Sequence, residues 1–198
     1  MNKKHLGLLV LVCQLAAWGP FSLFSLSKPP SAPVGSDHWI RQQLTHLQSQ
    51  AHNLDENVLK LSLYAYVRAR QQGLDNKELL TIVDYTKPST ERRLWVVDLK
   101  RSKVLFNTLV THGKNSGKNL PSSFSNDPGS LKSSLGVFLT TGKPYVGNNG
   151  YSLRLLGLER GINDKAYARD IVVHGAWYAS ETVAKKQGFL GRSWGTVS

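Results

Sequence analysis

His174 stands at the end of a strand-like run, Ile171-Val172-Val173, and is followed by Gly175. Further on, Gly191-Arg192-Ser193-Trp194-Gly195-Thr196-Val197-Ser198 sets hydroxyl groups among glycines. A base delivered by a strand and a nucleophile held in a glycine loop is a layout for nucleophilic catalysis, with the imidazole taking the proton of the attacking group. Such a site also needs donors for the developing oxyanion and an open groove for the substrate. The single cysteine, Cys13, lies in the apolar N-terminal stretch. The body of the protein therefore offers no thiol nucleophile, no disulfide framework and no cysteine zinc site. Neither metal-ligand spacing nor a paired-carboxylate signal is visible, which speaks against a zinc amidase or a glycosidase. No metal and no cofactor are expected.

The elements that must position these residues are legible from the residue pattern. Ile40, Leu44, Leu47 and Ala51 recur at helical spacing, which predicts a helix over residues 37–51. Asn53 with Glu56 reads as a capping box opening a second helix, with Gly73 as its stop. From residue 79 the pattern turns to strands: 80–85, then 94–99 and 104–110 as a hairpin around Lys100-Arg101-Ser102-Lys103. Residues 113–134 form a long polar loop, of a kind that is usually functional or mobile. Strands follow at 135–141 and, after the turn signal Asn148-Asn149-Gly150, at 151–155. Residues 157–170 read as loop with a short helical turn. After the strand bearing His174, a last helix is capped by Ser180 and stopped by Gly188. Asp84, Asp98 and Asp164 read as turn residues.

The net charge of +12, from 25 Lys and Arg against 13 Asp and Glu, favours anionic partners. The basic residues are scattered, with no basic block and no RNA-binding signature, so no nucleic-acid partner is expected. Lys3, Lys4 and His5 precede the uncharged residues 6–27, which have the form of an export signal with Ser25 and Ser27 at the cleavage site. The stretch is also long enough for an uncleaved inner-membrane anchor. Residues 28–36 read as a Pro/Ser linker, 37–78 as a helical extension and 79–198 as the main domain.

Several blocks together resemble the catalytic domain of murein L,D-transpeptidases, in the branch whose nucleophile motif reads Ser-x-Gly-Cys. They include Asp84-Tyr85-Thr86-Lys87-Pro88-Ser89, Arg93-Leu94-Trp95-Val96-Val97-Asp98 and His112-Gly113-Lys114-Asn115-Ser116-Gly117. They continue with Gly150-Tyr151-Ser152-Leu153-Arg154-Leu155, Val172-Val173-His174-Gly175 and Gly191-Arg192-Ser193-Trp194-Gly195. The resemblance implies an exported α+β protein of the periplasm or cell envelope: a mixed β-sandwich-like domain preceded by about two helices. It also implies acyl transfer on peptidoglycan stem peptides through a cysteine thioester.

By resemblance His174 is the base, the backbone N–H groups of Gly195 and residue 196 form the oxyanion hole, and Ser193 orients the loop or His174. Thr196 occupies the position of the family's cysteine. His112, Tyr151, Arg154, Gly175, Arg192 and Trp194 are candidate substrate-binding residues. His112 lines the groove or makes a structural hydrogen bond, Arg154 and Arg192 pair with stem-peptide carboxylates or with surface acids, and Trp194 also reads as a packing residue of the loop. His174 read alone fits a packed strand-end histidine. An alcohol must lose its proton during attack, whereas a free thiol with a pKa of ~8.5 is already partly thiolate, so Thr196 implies lost activity. Relatives continue past the nucleophile, and the sequence fits an incomplete domain in which one gene disruption near codon 196 accounts for both departures. A wall-binding protein without catalysis is the alternative, and a non-functional fragment the third reading. The residues say nothing of the oligomeric state.

Overall fold

The computed structural model describes residues 32–198 apart from 76, 142 and 149. The expected export signal or anchor and residues 28–31 of the linker lie outside the described residues, as does Asn149 of the turn signal.

Two helices lead. Helix α1 (Asp37–Gln48) starts where Ser36 accepts a hydrogen bond from the Trp39 N–H at 3.2 Å. Helix α2 (Glu56–Gln71) is capped by Asp55, which accepts from the N–H groups of Asn57 and Val58 at 2.8 and 3.2 Å. The capping-box reading of Asn53 is thereby corrected. Its side-chain amide is instead used across the fold, donating to the Arg92 carbonyl. Gly73, at φ 74°, closes the helix as expected. Replacing Asp55 by alanine is expected to cost about 1 kcal/mol, or a fall in Tm of about 2–4 °C in thermal unfolding followed by circular dichroism. An unchanged Tm would show that the cap carries no weight.

The apolar faces of both helices bury Trp39, Ile40, Leu47, Leu59, Leu63 and Tyr66 against the first sheet. That sheet is an antiparallel meander, β1 (Leu79–Val83), β2 (Leu94–Asp98) and β3 (Lys103–Thr108), in the order β1-β2-β3. Its central strand contributes Trp95 and Val97, both fully buried. Full burial of a leucine or isoleucine side chain contributes about 1.5–3 kcal/mol, which explains why the helical extension stays on the sheet. The strand expected at 104–110 stops at Thr108, and residues 109–112 lie outside it.

The second sheet is built on β6 (Gly150–Gly157). Strand β4 (Phe138–Thr140) pairs with its C-terminal half and β5 (Tyr145–Gly147) with its N-terminal half, while β7 (Val172–His174) pairs with residues 152–154; all three pairings are antiparallel. In this register Ser152 stands opposite His174. The strand expected over 135–141 is shorter than its pattern, and β5 is an addition to it. Helix α3 (Glu181–Gln187) has the expected cap at Ser180 and the left-handed stop at Gly188. Asp84, Asp98 and Asp164 each accept a backbone N–H within a turn, from Thr86, Arg101 and Gly161 respectively.

The long polar loop is tied down by Arg169. Its guanidinium donates to the carbonyls of Ser125 and Lys132, both at 2.7 Å, and to the Ser130 hydroxyl at 3.1 Å. The planar fork of arginine supplies several donors from one rigid group, which suits it to holding irregular backbone. Among the described residues, three helices and two sheets make the α+β class expected.

Candidate active site

The last segment positions the site by bridging two parts of the fold. Ser193 donates its N–H to the His112 carbonyl at 3.0 Å, and Lys114 donates to the Ser193 carbonyl at 2.7 Å. Four residues on, Val197 donates to the Val172 carbonyl and accepts from the His174 N–H at 3.1 Å. Residues 193–198 thus lie between the 111–114 segment and β7, and bring their side chains to His174.

His174 is 6% exposed. Its Nδ1 lies 3.0 Å from the Gly175 carbonyl oxygen, which can only accept, so Nδ1 carries the proton and Nε2 is left as the basic nitrogen. Two hydroxyls converge on that nitrogen: Thr196 Oγ1 at 3.1 Å and Ser198 Oγ at 3.0 Å. The two oxygens are 3.4 Å apart. In extended chain, residues two apart face the same side, so Thr196 and Ser198 reach His174 together while Val197 packs with Leu155 and Ile171. A single lone pair on Nε2 accepts from one hydroxyl at a time. The pairing can take a proton from an alcohol, which is the first requirement of nucleophilic catalysis.

Ser193 holds the loop rather than the imidazole. Its hydroxyl donates to the Thr196 carbonyl at 2.6 Å and accepts the Gly195 N–H at 3.2 Å. The Gly195 N–H, expected in the oxyanion hole, is therefore engaged within the loop. Gly195 itself sits at φ 110°, and a Cβ there would meet the Lys132 carbonyl oxygen at 3.0 Å, so both backbone shape and space call for glycine.

A groove of about 570 Å³ opens in front of His174, lined by apolar side chains together with Tyr151, Gly175 and Ser198. Tyr151 rims it, 77% exposed. Trp194 is 78% exposed, which corrects its reading as a packing residue. Arg192 is exposed, with long contacts of 3.4 and 3.5 Å to the carbonyls of Lys114 and Gly117 and its guanidinium 5.9 Å from the centre of the Phe189 ring. Among the described residues it pairs with no carboxylate. Arg154 is paired with Asp170 and lies against the rings of Tyr145 and Tyr167, outside the groove lining. The surface-acid reading is the one the structure gives it.

His112 is 1% exposed and does not reach the groove, so its groove-lining reading is corrected. Its Nδ1 accepts from the Arg93 guanidinium at 2.8 Å, which places the ring proton on Nε2, 3.3 Å from the Gly117 carbonyl oxygen. Burial first, and then the Arg93 charge, push its pKa down to about 4. Arg93 is fully buried and also donates to the carbonyls of Lys87 at 2.6 Å and Val110 at 2.9 Å. Burial lowers its pKa to about 10, and the Tyr85 ring lies 5.0 Å from the guanidinium carbon. This buried pair anchors the segment to which Ser193 binds. An arginine after a loop carries no sign in the sequence that it will be buried, as Arg93 is. For Ser198 the sequence signal is its spacing of two from Thr196, which places both hydroxyls on His174.

The strand-end imidazole faces a Ser-x-Gly loop within an α+β domain. The chain belongs to the L,D-transpeptidase catalytic domain family, whose sequence profile matches residues 50–198. No curated protein and no solved structure matches the chain. The family consists of transferases that act on peptidoglycan in the cell envelope. Among the described residues no helix is long and apolar enough to cross a membrane.

Proposed function

We propose that this domain binds peptidoglycan stem peptides in the His174 groove and lacks the family's thioester chemistry. The observation that carries the reading is the threonine hydroxyl 3.1 Å from His174 Nε2, at the position where the resemblance implies a thiolate. A thiol gives up its proton near neutral pH and attacks as an anion, whereas the alcohol depends entirely on the imidazole during attack. The groove, its tyrosine rim and a net charge of +12 are suited to an anionic wall peptide. The basic start and uncharged stretch of residues 1–27 support export to the envelope, as a processed protein or an anchored one.

Sedimentation with purified sacculi tests the reading. The protein is expected to pellet with sacculi, to remain bound when salt is raised enough to screen surface charge, and to release no cross-linked muropeptides. Cross-linking at the pace of a cysteine enzyme would overturn the catalytic half. Absence of pelleting would overturn the binding half and leave the non-functional reading.

A further inference from the structure

Two hydroxyls share the basic nitrogen of His174, but they differ in what they face. Ser198 lines the groove together with His174 and Gly175, whereas Thr196 is not among the lining residues. Ser198 also carries a primary alcohol, less hindered than the secondary alcohol of threonine. Its Oγ lies 3.0 Å from Nε2, 3.4 Å from Thr196 Oγ1 and 3.4 Å from the Tyr178 hydroxyl. When Ser198 donates to Nε2, the hydroxyls of Thr196 and Tyr178 can both donate towards Ser198 Oγ and the oxyanion beside it.

We propose that Ser198 is a nucleophile activated by His174, and that the groove hydrolyses carboxylic esters. The inference rests on reading the groove as an acyl-transfer site. In the acylation step Ser198 Oγ bonds to the ester carbonyl carbon and its proton passes to His174 Nε2. The carbon–alkoxy oxygen bond then breaks, and the departing alkoxide takes that proton. Water repeats the sequence, releasing the acid and restoring Ser198. Esters are favoured over amides because the imidazole is backed by a neutral carbonyl, that of Gly175, and not by a carboxylate. Such a base suits a leaving group that needs little help from an acid, and an amide nitrogen must be protonated to leave.

The test uses 4-nitrophenyl acetate on the full chain, with 4-nitrophenolate release followed optically and the acetylated residue located by fragment mass spectrometry. Acetyl on Ser198 is expected, with release slowed at least ~10²-fold in Ser198→Ala and in His174→Gln, as for loss of a positioned base or nucleophile. Acetyl found only on Thr196 or on lysines overturns the proposal. So does an unchanged rate in Ser198→Ala, or a parent chain without acetyl at 198. Should Ser198→Ala fail to fold, Ser198→Cys decides, because the acyl group should then sit on sulfur at the same position. A chain that is acetylated at Ser198 yet does not pellet with sacculi defeats the wall-binding reading alone. One that pellets but carries no acetyl there defeats the nucleophile alone.

Discussion

Replacing Thr196 by cysteine is expected to yield a chain that a carbapenem acylates at position 196 at least ~10²-fold faster than the parent, the scale of a positioned base acting on a competent nucleophile. The threonine oxygen already stands 3.1 Å from Nε2, and the tautomer fixed by the Gly175 carbonyl leaves that nitrogen free to take a thiol proton. The backbone at 196 is held through its carbonyl by Ser193, at 2.6 Å, so the side chain can change without releasing the loop. Intact-mass spectrometry reads the single adduct, and adding His174→Gln to the cysteine variant should remove it. A folded cysteine variant that stays unmodified would show that position 196 is not addressed by the groove, and the assignment of His174 as its base would fall.

The parts of the fold that could be read from the sequence are those whose signals are local. Ser180 and Gly188 bracket α3 because a cap and a left-handed stop are written in adjacent residues. The β2–β3 hairpin shows itself through two β-rich runs around a polar turn. Asn53 and Asp55 illustrate the limit, since both are good caps one turn before an apolar run. Asp55 takes the role while Asn53 spends its amide on Arg92, a partner 39 residues away. Strand β5 is three residues long and two of them are exposed, too little for a periodic pattern. The site divides in the same way. His174 and the Ser193–Thr196 loop announce themselves as motifs. The buried contact of Arg93 with His112 and the Arg169 clamp depend on partners 19 to 44 residues apart, and nothing in either neighbourhood foretells them.

Acid should weaken this fold well before its carboxylates protonate. His112 holds a pKa of about 4 in the folded chain, against 6.5 when unfolded. The protonated form is therefore favoured in the unfolded state, and the contribution from the neutral ring is complete above pH 6.5 and lost as pH falls towards 4. At pH 5 the loss from this one group is about 2 kcal/mol relative to neutral pH. Burial of the ring is the first cause, since it disfavours the charged form; next, protonation would set a second cation against Arg93, at 2.8 Å, and take away the lone pair that accepts its hydrogen bond. Arg192 adds a more distant repulsion, while the Tyr85 ring lies edge-on to the imidazole at 6.4 Å and offers no countercharge. Urea unfolding between pH 7 and 5, followed by circular dichroism, should show the midpoint falling across this window. In His112→Gln, which starts less stable, that fall should be largely gone. A midpoint that does not move in the parent chain would mean that the ring is not held neutral beside Arg93, and the anchor under the Ser193 segment would then need another explanation.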